Sequence, residues 1–307
     1  MSDAREFAIA DAPRPIVPIT AAALLSMDIP PRSTIMAPWL PASGAAMIYA
    51  PRGIGKTHLA LSIACAVATA TPLLRWQVAT PRRVLCVDGE MPLVALQERV
   101  ASIVPGMAAN PPADDFLRFL PADYFRDGLP DLASLEGRAL LERVTAGVDL
   151  VILDNLSSLA RGRENEADDW QPIQDTILSL RRRGVSSLVV HHAAKGGQQR
   201  GTSRREDILD TVIALRRPEG YSASEGARFE VHFEKARGFM GAEAAPFEVR
   251  LETTADDYLW HVSDLANDDQ TMALSMLARG ETVPAVVKAL GVSRTTVYRW
   301  QKEAAGE

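Results

Sequence analysis

The feature that most constrains the fold of this 307-residue chain is the segment from Ala50 to Thr57. It reads APRGIGKT, an apolar strand pattern precedes it, and a helix-forming run follows it. This order matches the phosphate-binding loop pattern G-x-x-x-x-G-K-[ST], except that Ala50 stands at the first glycine position. Gly53 and Gly55 allow backbone N–H groups to turn toward phosphate oxygens. We therefore expect a strand, an anion-binding loop and a helix in succession.

The same segment indicates which ligand the loop binds. The helix that begins near Lys56 presents the positive end of its dipole to an anion, and the Lys56 ammonium adds a charge at the terminal phosphates. The Thr57 hydroxyl can ligate Mg²⁺. Ala50 ends a strand and needs no positive φ, so it is compatible with the loop. The segment predicts a site for ATP and Mg²⁺ made by Ala50, Pro51, Arg52, Gly53, Ile54, Gly55, Lys56 and Thr57.

Carboxylates that could complete such a site follow two later strand patterns. The apolar run 150–154 ends in Asp154, which is typical of the Walker B strand, whose carboxylate holds the Mg²⁺ shell with Thr57. The next residue is Asn155, so the base that activates water must come from elsewhere. Glu90 is the candidate catalytic base, with Asp88 as the alternative, and we expect this carboxylate to lie beside the P-loop strand.

Alternating strand and helix patterns predict the fold class. The predicted strands are 45–49, 83–88, 116–120, 150–154 and 187–191, and the predicted helices are 56–70, 93–103, 132–146 and 172–182. This alternation predicts an α/β fold with a mainly parallel sheet and helices on both faces. Short strand patterns at 208–215, 228–233, 247–251 and 258–262 predict an antiparallel extension of that sheet.

The two ends of the chain differ from this pattern. Residues 1–42 contain seven prolines, which exclude a long helix except around 21–27 and predict an N-terminal arm. Residues 264–268 are polar and acidic and predict a linker. We therefore expect an arm at 1–42, a nucleotide-binding domain at 43–263, the linker, and a small all-α domain at 269–307.

The last segment has the pattern of a helix-turn-helix. Helices are predicted at 270–279 and 283–290, and Ser293 is a suitable N-cap for a third helix from Arg294 to about residue 303. A short turn containing Gly291 joins the last two helices, as in DNA-binding modules, and the run 289–299 resembles the recognition helices of resolvase- and invertase-type domains. Five Lys and Arg against three Asp and Glu at 269–304 make the segment basic. The residues predicted to contact duplex DNA are Arg294, Thr295, Thr296, Tyr298 and Arg299; a protein-interaction module is the alternative.

Composition excludes several other classes of protein. A net charge of −6 argues against a basic surface that coats nucleic acid, so DNA binding must use local patches. Cys65 and Cys86 lie in apolar runs, which favours buried reduced thiols over a disulfide or a zinc site. The first ten residues do not resemble a secretory signal, and Pro72 interrupts the longest uncharged stretch, 59–74. We expect a cytoplasmic protein with no membrane segment.

Taken together, the motifs resemble those of RecA-like ATPases, and more closely those of the RepA-type hexameric replicative helicases of plasmids and mobile elements. The resemblance rests on residues 50–57, 87–92, 151–155, 189–196, 200–203 and 233–238. It implies a RecA-like core, a homo-oligomeric ring and nucleotide at the subunit interfaces. It also implies that His191 and His192 lie where the family keeps a γ-phosphate sensor.

Further roles follow from this resemblance. Lys235 and Arg237 match a K-x-R element that reaches the γ-phosphate of a neighbouring subunit. Loops at 160–170 and 195–205 correspond to loops that line the pore, where single-stranded DNA would contact Lys195, Arg200, Arg204 and Arg205. The preferred hypothesis is an ATP-driven DNA motor in plasmid, phage or mobile-element replication. The alternatives are a DNA-binding regulatory ATPase that does not unwind, and a nucleotide-sensing adaptor of a replication or partition complex.

Overall fold

The computed structural model describes residues 17–107, 109–160, 167–193, 207–218, 220–254, 258–265 and 268–305. The chain divides into two units, residues 1–32 and 33–307. In the described part of the first unit there is one short helix, α1 (Ala21–Leu25), whose N-cap Thr20 accepts a hydrogen bond from the Ala23 amide. This helix lies within the 21–27 window that the proline spacing left open.

The second unit begins with a two-stranded antiparallel sheet of β1 (Thr34–Met36) and β2 (Leu40–Pro41). Met36, Trp39 and Leu40 are fully buried in the hydrophobic core. Residues 33–42, which the proline count placed in the arm, therefore belong to the second unit and contribute buried side chains to its core. Proline excludes a helix here, but it does not prevent neighbouring apolar side chains from being buried.

A nine-stranded sheet forms the centre of the second unit, in the order β11-β10-β9-β8-β3-β7-β6-β4-β5. Its strands are β3 (Ala45–Ala50), β4 (Val84–Asp88), β5 (Leu117–Pro121), β6 (Leu150–Asp154), β7 (Ser186–His192), β8 (Thr211–Arg216), β9 (Arg228–Ala236), β10 (Phe247–Thr253) and β11 (Tyr258–Asp264). The six strands from β8 to β5 are parallel. The pairs β8–β9, β9–β10 and β10–β11 are antiparallel. The mixed sheet confirms the predicted fold class, with one difference: β8 pairs in parallel with β3, so the antiparallel extension starts at β9.

Helices cover both faces of this sheet. They are α2 (Lys56–Thr69), α3 (Leu93–Ile103), α4 (Leu135–Val144), α5 (Leu156–Leu159) and α6 (Ala167–Arg182). Alternate residues of β3 separate two cores: Ile48 packs with α2 on one face, and Met47 packs with α4, α5 and α6 on the other. The predicted helix start at Pro172 is wrong, because α6 begins at Ala167 and continues through the proline.

The C-terminal region is a group of three helices with its own small core. They are α7 (Asp268–Ala278), α8 (Val283–Leu290) and α9 (Arg294–Ala305). Ala273, Met276, Val286, Val297 and Trp300 are buried among them. Across the described ranges of the chain, no helix is both long and apolar enough to cross a membrane.

Candidate nucleotide-binding site

The P-loop joins the end of β3 to the start of α2, as the sequence predicted. Gly53 and Gly55 have positive φ values of 73° and 111°. Residues with a Cβ atom rarely adopt this backbone conformation. A Cβ atom on Gly55 would also lie 2.8 Å from the Ala227 Cβ, so this position has no room for one. Ala50 is still part of buried β3. Its strand conformation explains why alanine can replace glycine there.

Lys56 places its ammonium inside the loop. Its side chain is only 7% exposed, and Nζ donates hydrogen bonds to the carbonyls of Ala50 at 2.9 Å and Pro51 at 2.8 Å. Burial lowers the pKa of Lys56 to about 8, while the carboxylates of Asp154 and Glu90 oppose that shift. A phosphate in the loop would offer the ammonium a stronger, negatively charged partner than two carbonyls.

Asp154 and Thr57 form the candidate Mg²⁺ ligands. The Thr57 hydroxyl donates a hydrogen bond to the Asp154 carboxylate, and burial raises the pKa of Asp154 to about 6. The other carboxylate oxygen, Oδ2, is buried and has no hydrogen-bond partner among the described residues. A buried carboxylate oxygen without a partner, next to a hydroxyl oxygen, fits the oxygen ligands that Mg²⁺ prefers. These two residues therefore fit the ion.

The two acids at the carboxyl end of β4, Asp88 and Glu90, have different surroundings. The Asp88 carboxylate accepts hydrogen bonds from the amides of Glu90 at 3.0 Å and Met91 at 2.6 Å, so it shapes the turn that follows the strand. The Glu90 side chain lines the cleft at the P-loop. Gly89 donates its N–H to the Asp154 carbonyl at 2.8 Å and ties the ends of β4 and β6 together. The geometry therefore favours Glu90 over Asp88 as the base.

The strand that precedes Glu90, β4, is not a neighbour of the P-loop strand β3 in the sheet. β7 and β6 lie between β3 and β4 in the sheet. Glu90 still reaches the cleft, because the carboxyl ends of parallel strands meet at the same edge of a sheet. The order of the strands in the chain did not reveal their order in the sheet, since helical crossovers connect strands that are not neighbours.

The cleft has a volume of about 910 Å³, which is the size of a small-molecule site. Besides the P-loop, its lining includes Glu90, Asp154, Asn155 and His192, which come from the ends of β4, β6 and β7. The lining also includes His58 from α2, Arg99 from α3, residues 224–227 and residues 250–253. Sequence reasoning missed this second group of residues. His58 could have been found from its position next to Thr57, but no local signal marks Arg99 or Arg250.

Only one of the two histidines at the end of β7 faces the cleft. His192 Nε2 lies 3.2 Å from Nδ2 of Asn155, whose Oδ1 accepts a hydrogen bond from the Ser158 amide at the start of α5. His191 pairs in register with Tyr49, on the opposite face of the sheet. The geometry therefore favours His192 as the residue that could sense a bound phosphate.

Lys235 and Arg237 lie at the end of the sheet opposite to the P-loop of the same chain. β9 runs antiparallel to β8, so Ala236 pairs with Thr211 at the start of β8. A bulge in β9 leaves Glu234 as an extra residue between Phe233 and Lys235. The Arg237 guanidinium donates a hydrogen bond to the Asp207 carbonyl at 3.2 Å. The structure therefore does not bring these two cations to their own chain's cleft.

The predicted single-stranded DNA contacts, Lys195, Arg200, Arg204 and Arg205, lie outside the described residues, as do residues 161–166 of the other predicted loop. In the C-terminal region, Gly291 ends α8 with a φ of 68°. The Arg294, Thr295, Tyr298 and Arg299 side chains are exposed on α9. Thr296 differs, because its amide and hydroxyl both bond to the Ser293 hydroxyl, which caps the helix.

Comparisons with known proteins agree with this arrangement. A model of the AAA domain family matches residues 12–198, and a homeodomain-like domain model matches residues 269–307. A KaiC-like protein from Pyrococcus horikoshii has a similar structure, with a TM-score of 0.51, 17% identity, and coverage of 72% of this chain and 91% of that chain. The flagellar accessory protein FlaH from Methanocaldococcus jannaschii also has a TM-score of 0.51, with 12% identity and coverage of 73% and 91%. These two likenesses concern the RecA-like fold alone.

Proposed function

This chain belongs to the AAA domain family, and we propose that it is a Mg²⁺-dependent, DNA-stimulated ATPase that drives DNA unwinding. The observation that carries the proposal is the convergence of Lys56, Asp154 and Glu90 on one cleft. The motifs shared with RepA-type replicative helicases support the motor activity and a role in plasmid, phage or mobile-element replication. Buried thiols at Cys65 and Cys86 are compatible with the reducing cytoplasm.

Each residue at the P-loop has a distinct role in this proposal. Lys56 leaves the Ala50 and Pro51 carbonyls and binds oxygens of the β- and γ-phosphates. Thr57 and Asp154 hold Mg²⁺, which neutralises charge on the phosphates when it is bound. The Glu90 carboxylate accepts the proton of the attacking water as the water oxygen bonds to the γ-phosphorus. The bond from that phosphorus to the bridging oxygen breaks, and ADP and phosphate are left.

A motor must then transmit the structural change caused by loss of the γ-phosphate to the rest of the protein. Two contacts support this role for His192: its ring contacts Asn155, and Asn155 caps α5. A change in the position of His192 would therefore shift Asn155 and, with it, the start of α5. The loops predicted to contact single-stranded DNA begin after α5 and after β7, so a shift of these two elements would reach the DNA.

The proposal is tested by exchanging the two acids after β4 separately. Glu90→Gln should retain ATP binding and lose hydrolysis by at least about 100-fold, since an amide cannot accept the proton. Asp88→Asn is the matched control, because the amide oxygen can still accept the two backbone hydrogen bonds. Hydrolysis and nucleotide affinity are measured for both. Normal hydrolysis by Glu90→Gln would refute the assigned base.

The C-terminal helices favour a second candidate function. Their exposed α9 face could read duplex DNA, which suits a regulatory ATPase that binds sites without unwinding them. Unwinding of a forked duplex and stimulation by single-stranded DNA support the motor. Hydrolysis that responds only to duplex DNA supports the regulator. Nucleotide binding without turnover would instead support the adaptor.

A further inference from the structure

The residue after the P-loop threonine, His58, is held in a defined orientation at the wall of the cleft. Its Nδ1 lies 3.2 Å from the Tyr258 hydroxyl, and the two rings stack with centroids 6.2 Å apart at 28°. Tyr258 belongs to β11, 200 residues away in the chain. The other ring nitrogen, Nε2, has no hydrogen-bond partner among the described residues. His58 therefore offers one free nitrogen to the cleft that it lines.

The hydrogen bonds behind this ring determine which nitrogen carries the proton. The Ser62 hydroxyl donates its single proton to the His58 carbonyl at 2.8 Å, and it accepts one from Trp260 Nε1 at 3.0 Å. The Tyr258 hydroxyl lies 3.4 Å from the same Ser62 oxygen. Because the Ser62 proton is already used, the Tyr258 hydroxyl must be the donor in that contact.

The Tyr258 oxygen is then the acceptor in its contact with His58, so the proton lies on Nδ1 of the ring. If the Tyr258 proton pointed to Nδ1 instead, the contact between the Ser62 and Tyr258 oxygens would contain no proton. Only the first arrangement satisfies all four contacts. In a neutral imidazole that carries its proton on Nδ1, the other nitrogen, Nε2, is a hydrogen-bond acceptor.

The position of His58 Nε2 in the cleft indicates which part of a bound nucleotide it would contact. In the proposed function Glu90, Asp154 and His192 face the γ-phosphate, and they reach the cleft from the ends of β4, β6 and β7. His58 reaches the cleft from α2 and is backed by β11. A nucleoside bound beyond the phosphates would therefore lie among the other lining residues, which include His58.

We propose that Nε2 of His58 accepts a hydrogen bond from a donor on the nucleoside and so sets which nucleotides the cleft prefers. The donor is either the exocyclic amino group of adenine or a ribose hydroxyl. This inference rests on the proposed function, in which ATP is the substrate. It adds a specificity residue, His58, and a positioning residue, Tyr258.

The experiment measures binding at pH 8 of ATP, ITP, dATP and tripolyphosphate to the full-length protein and to His58→Phe. ITP lacks the exocyclic amino group, dATP lacks the 2′-hydroxyl, and tripolyphosphate lacks the nucleoside. We expect wild type to bind either ITP or dATP roughly three- to tenfold more weakly than ATP, the effect of one neutral hydrogen bond. His58→Phe should lose that difference and still bind tripolyphosphate.

Tyr258→Phe provides an independent check that does not alter the ring in the cleft. It removes the acceptor for Nδ1–H, so ¹⁵N chemical shifts should show the His58 proton shared between both ring nitrogens, and the discrimination should weaken. Equal binding of ATP, ITP and dATP by wild type, or discrimination that persists in His58→Phe, overturns the inference. Failure of wild type to bind tripolyphosphate and ATP at all would instead overturn the proposed function.

Discussion

Lys56 is the residue at which burial and charge compete most directly. Its ammonium is enclosed by the loop that it serves, with two backbone carbonyls as partners. Burial lowers its pKa to about 8, although two carboxylates favour the charged form. The Lys56 ammonium therefore remains charged at neutral pH but loses its proton more readily than an exposed lysine does. Binding of a nucleotide should reverse part of that shift, because phosphate oxygens favour the charged ammonium.

This competition predicts proton uptake when nucleotide binds. Below about pH 7 Lys56 is charged both in the free and the bound protein, so its contribution to the affinity does not vary with pH. Above pH 8 the free protein loses the proton, and the affinity should fall by up to about tenfold per pH unit. Calorimetry at pH 8.5 in two buffers of different ionisation enthalpy measures the uptake. Lys56→Met is the control, and equal heats in both buffers for wild type would contradict the prediction.

At the scale of the element, α9 shows how one helix serves two purposes. Val297 and Trp300 are buried three residues apart, while Arg294, Tyr298 and Arg299 are exposed. This spacing follows the 3.6-residue period of a helix, so one face packs and the other remains available. Ser293 caps the first turn, because its hydroxyl accepts a hydrogen bond from the Thr296 amide. The exposed face is the one a duplex would meet.

We predict that Arg294→Ala weakens binding to duplex DNA and leaves ATP hydrolysis without DNA unchanged. Loss of one cation at the start of a recognition helix should lower affinity by about 1–3 kcal/mol and, if it contacts a phosphate, reduce the salt slope by about one. Titrations over a range of salt concentrations measure both. Arg279→Ala, just after α7, is the matched control. An unchanged affinity for Arg294→Ala would remove α9 from the DNA interface.

At the scale of the whole molecule, the sheet separates the P-loop from the Lys235 and Arg237 pair. The P-loop follows the carboxyl end of β3, and these cations lie at the end of antiparallel β9, near the start of β8. A cation at that end cannot reach its own chain's phosphates across the length of the strands. In a head-to-tail assembly, however, it can meet the cleft of the next copy. The topology thus suits a finger that acts between subunits.

Mixing two inactive variants tests this arrangement. Arg237→Ala chains keep a functional P-loop, and Lys56→Ala chains keep the finger. Hybrid assemblies should therefore contain some complete interfaces and regain part of the ATP turnover. Hydrolysis is followed over a series of mixing ratios, with each variant alone as the control. If no ratio restores turnover, Arg237 does not act on a neighbouring cleft.

Sequence patterns located the nucleotide loop, the Walker B strand and the three C-terminal helices, because each depends on residues close together in the chain. They favoured Glu90 as the base but left Asp88 open, since Asp88 ends β4 and Glu90 follows only two residues later. The structure separates the two by their hydrogen bonds, because Asp88 binds the turn amides. Likewise, His191 and His192 are equivalent in sequence, and only the alternation of β7 shows which one faces the cleft.

The sequence by itself determined the local chemistry of this protein: the turn at Gly55, the cation at Lys56 and the cap at Ser293. Backbone conformation and capping depend on the nearest few residues, so a linear pattern can reveal them. Only the tertiary structure decided that β6 and β7 separate β4 from β3, and that Tyr258 fixes the ring of His58. Such contacts join residues far apart in the chain, 200 residues for His58 and Tyr258, and they arise because burying both faces of one sheet selects the strand order.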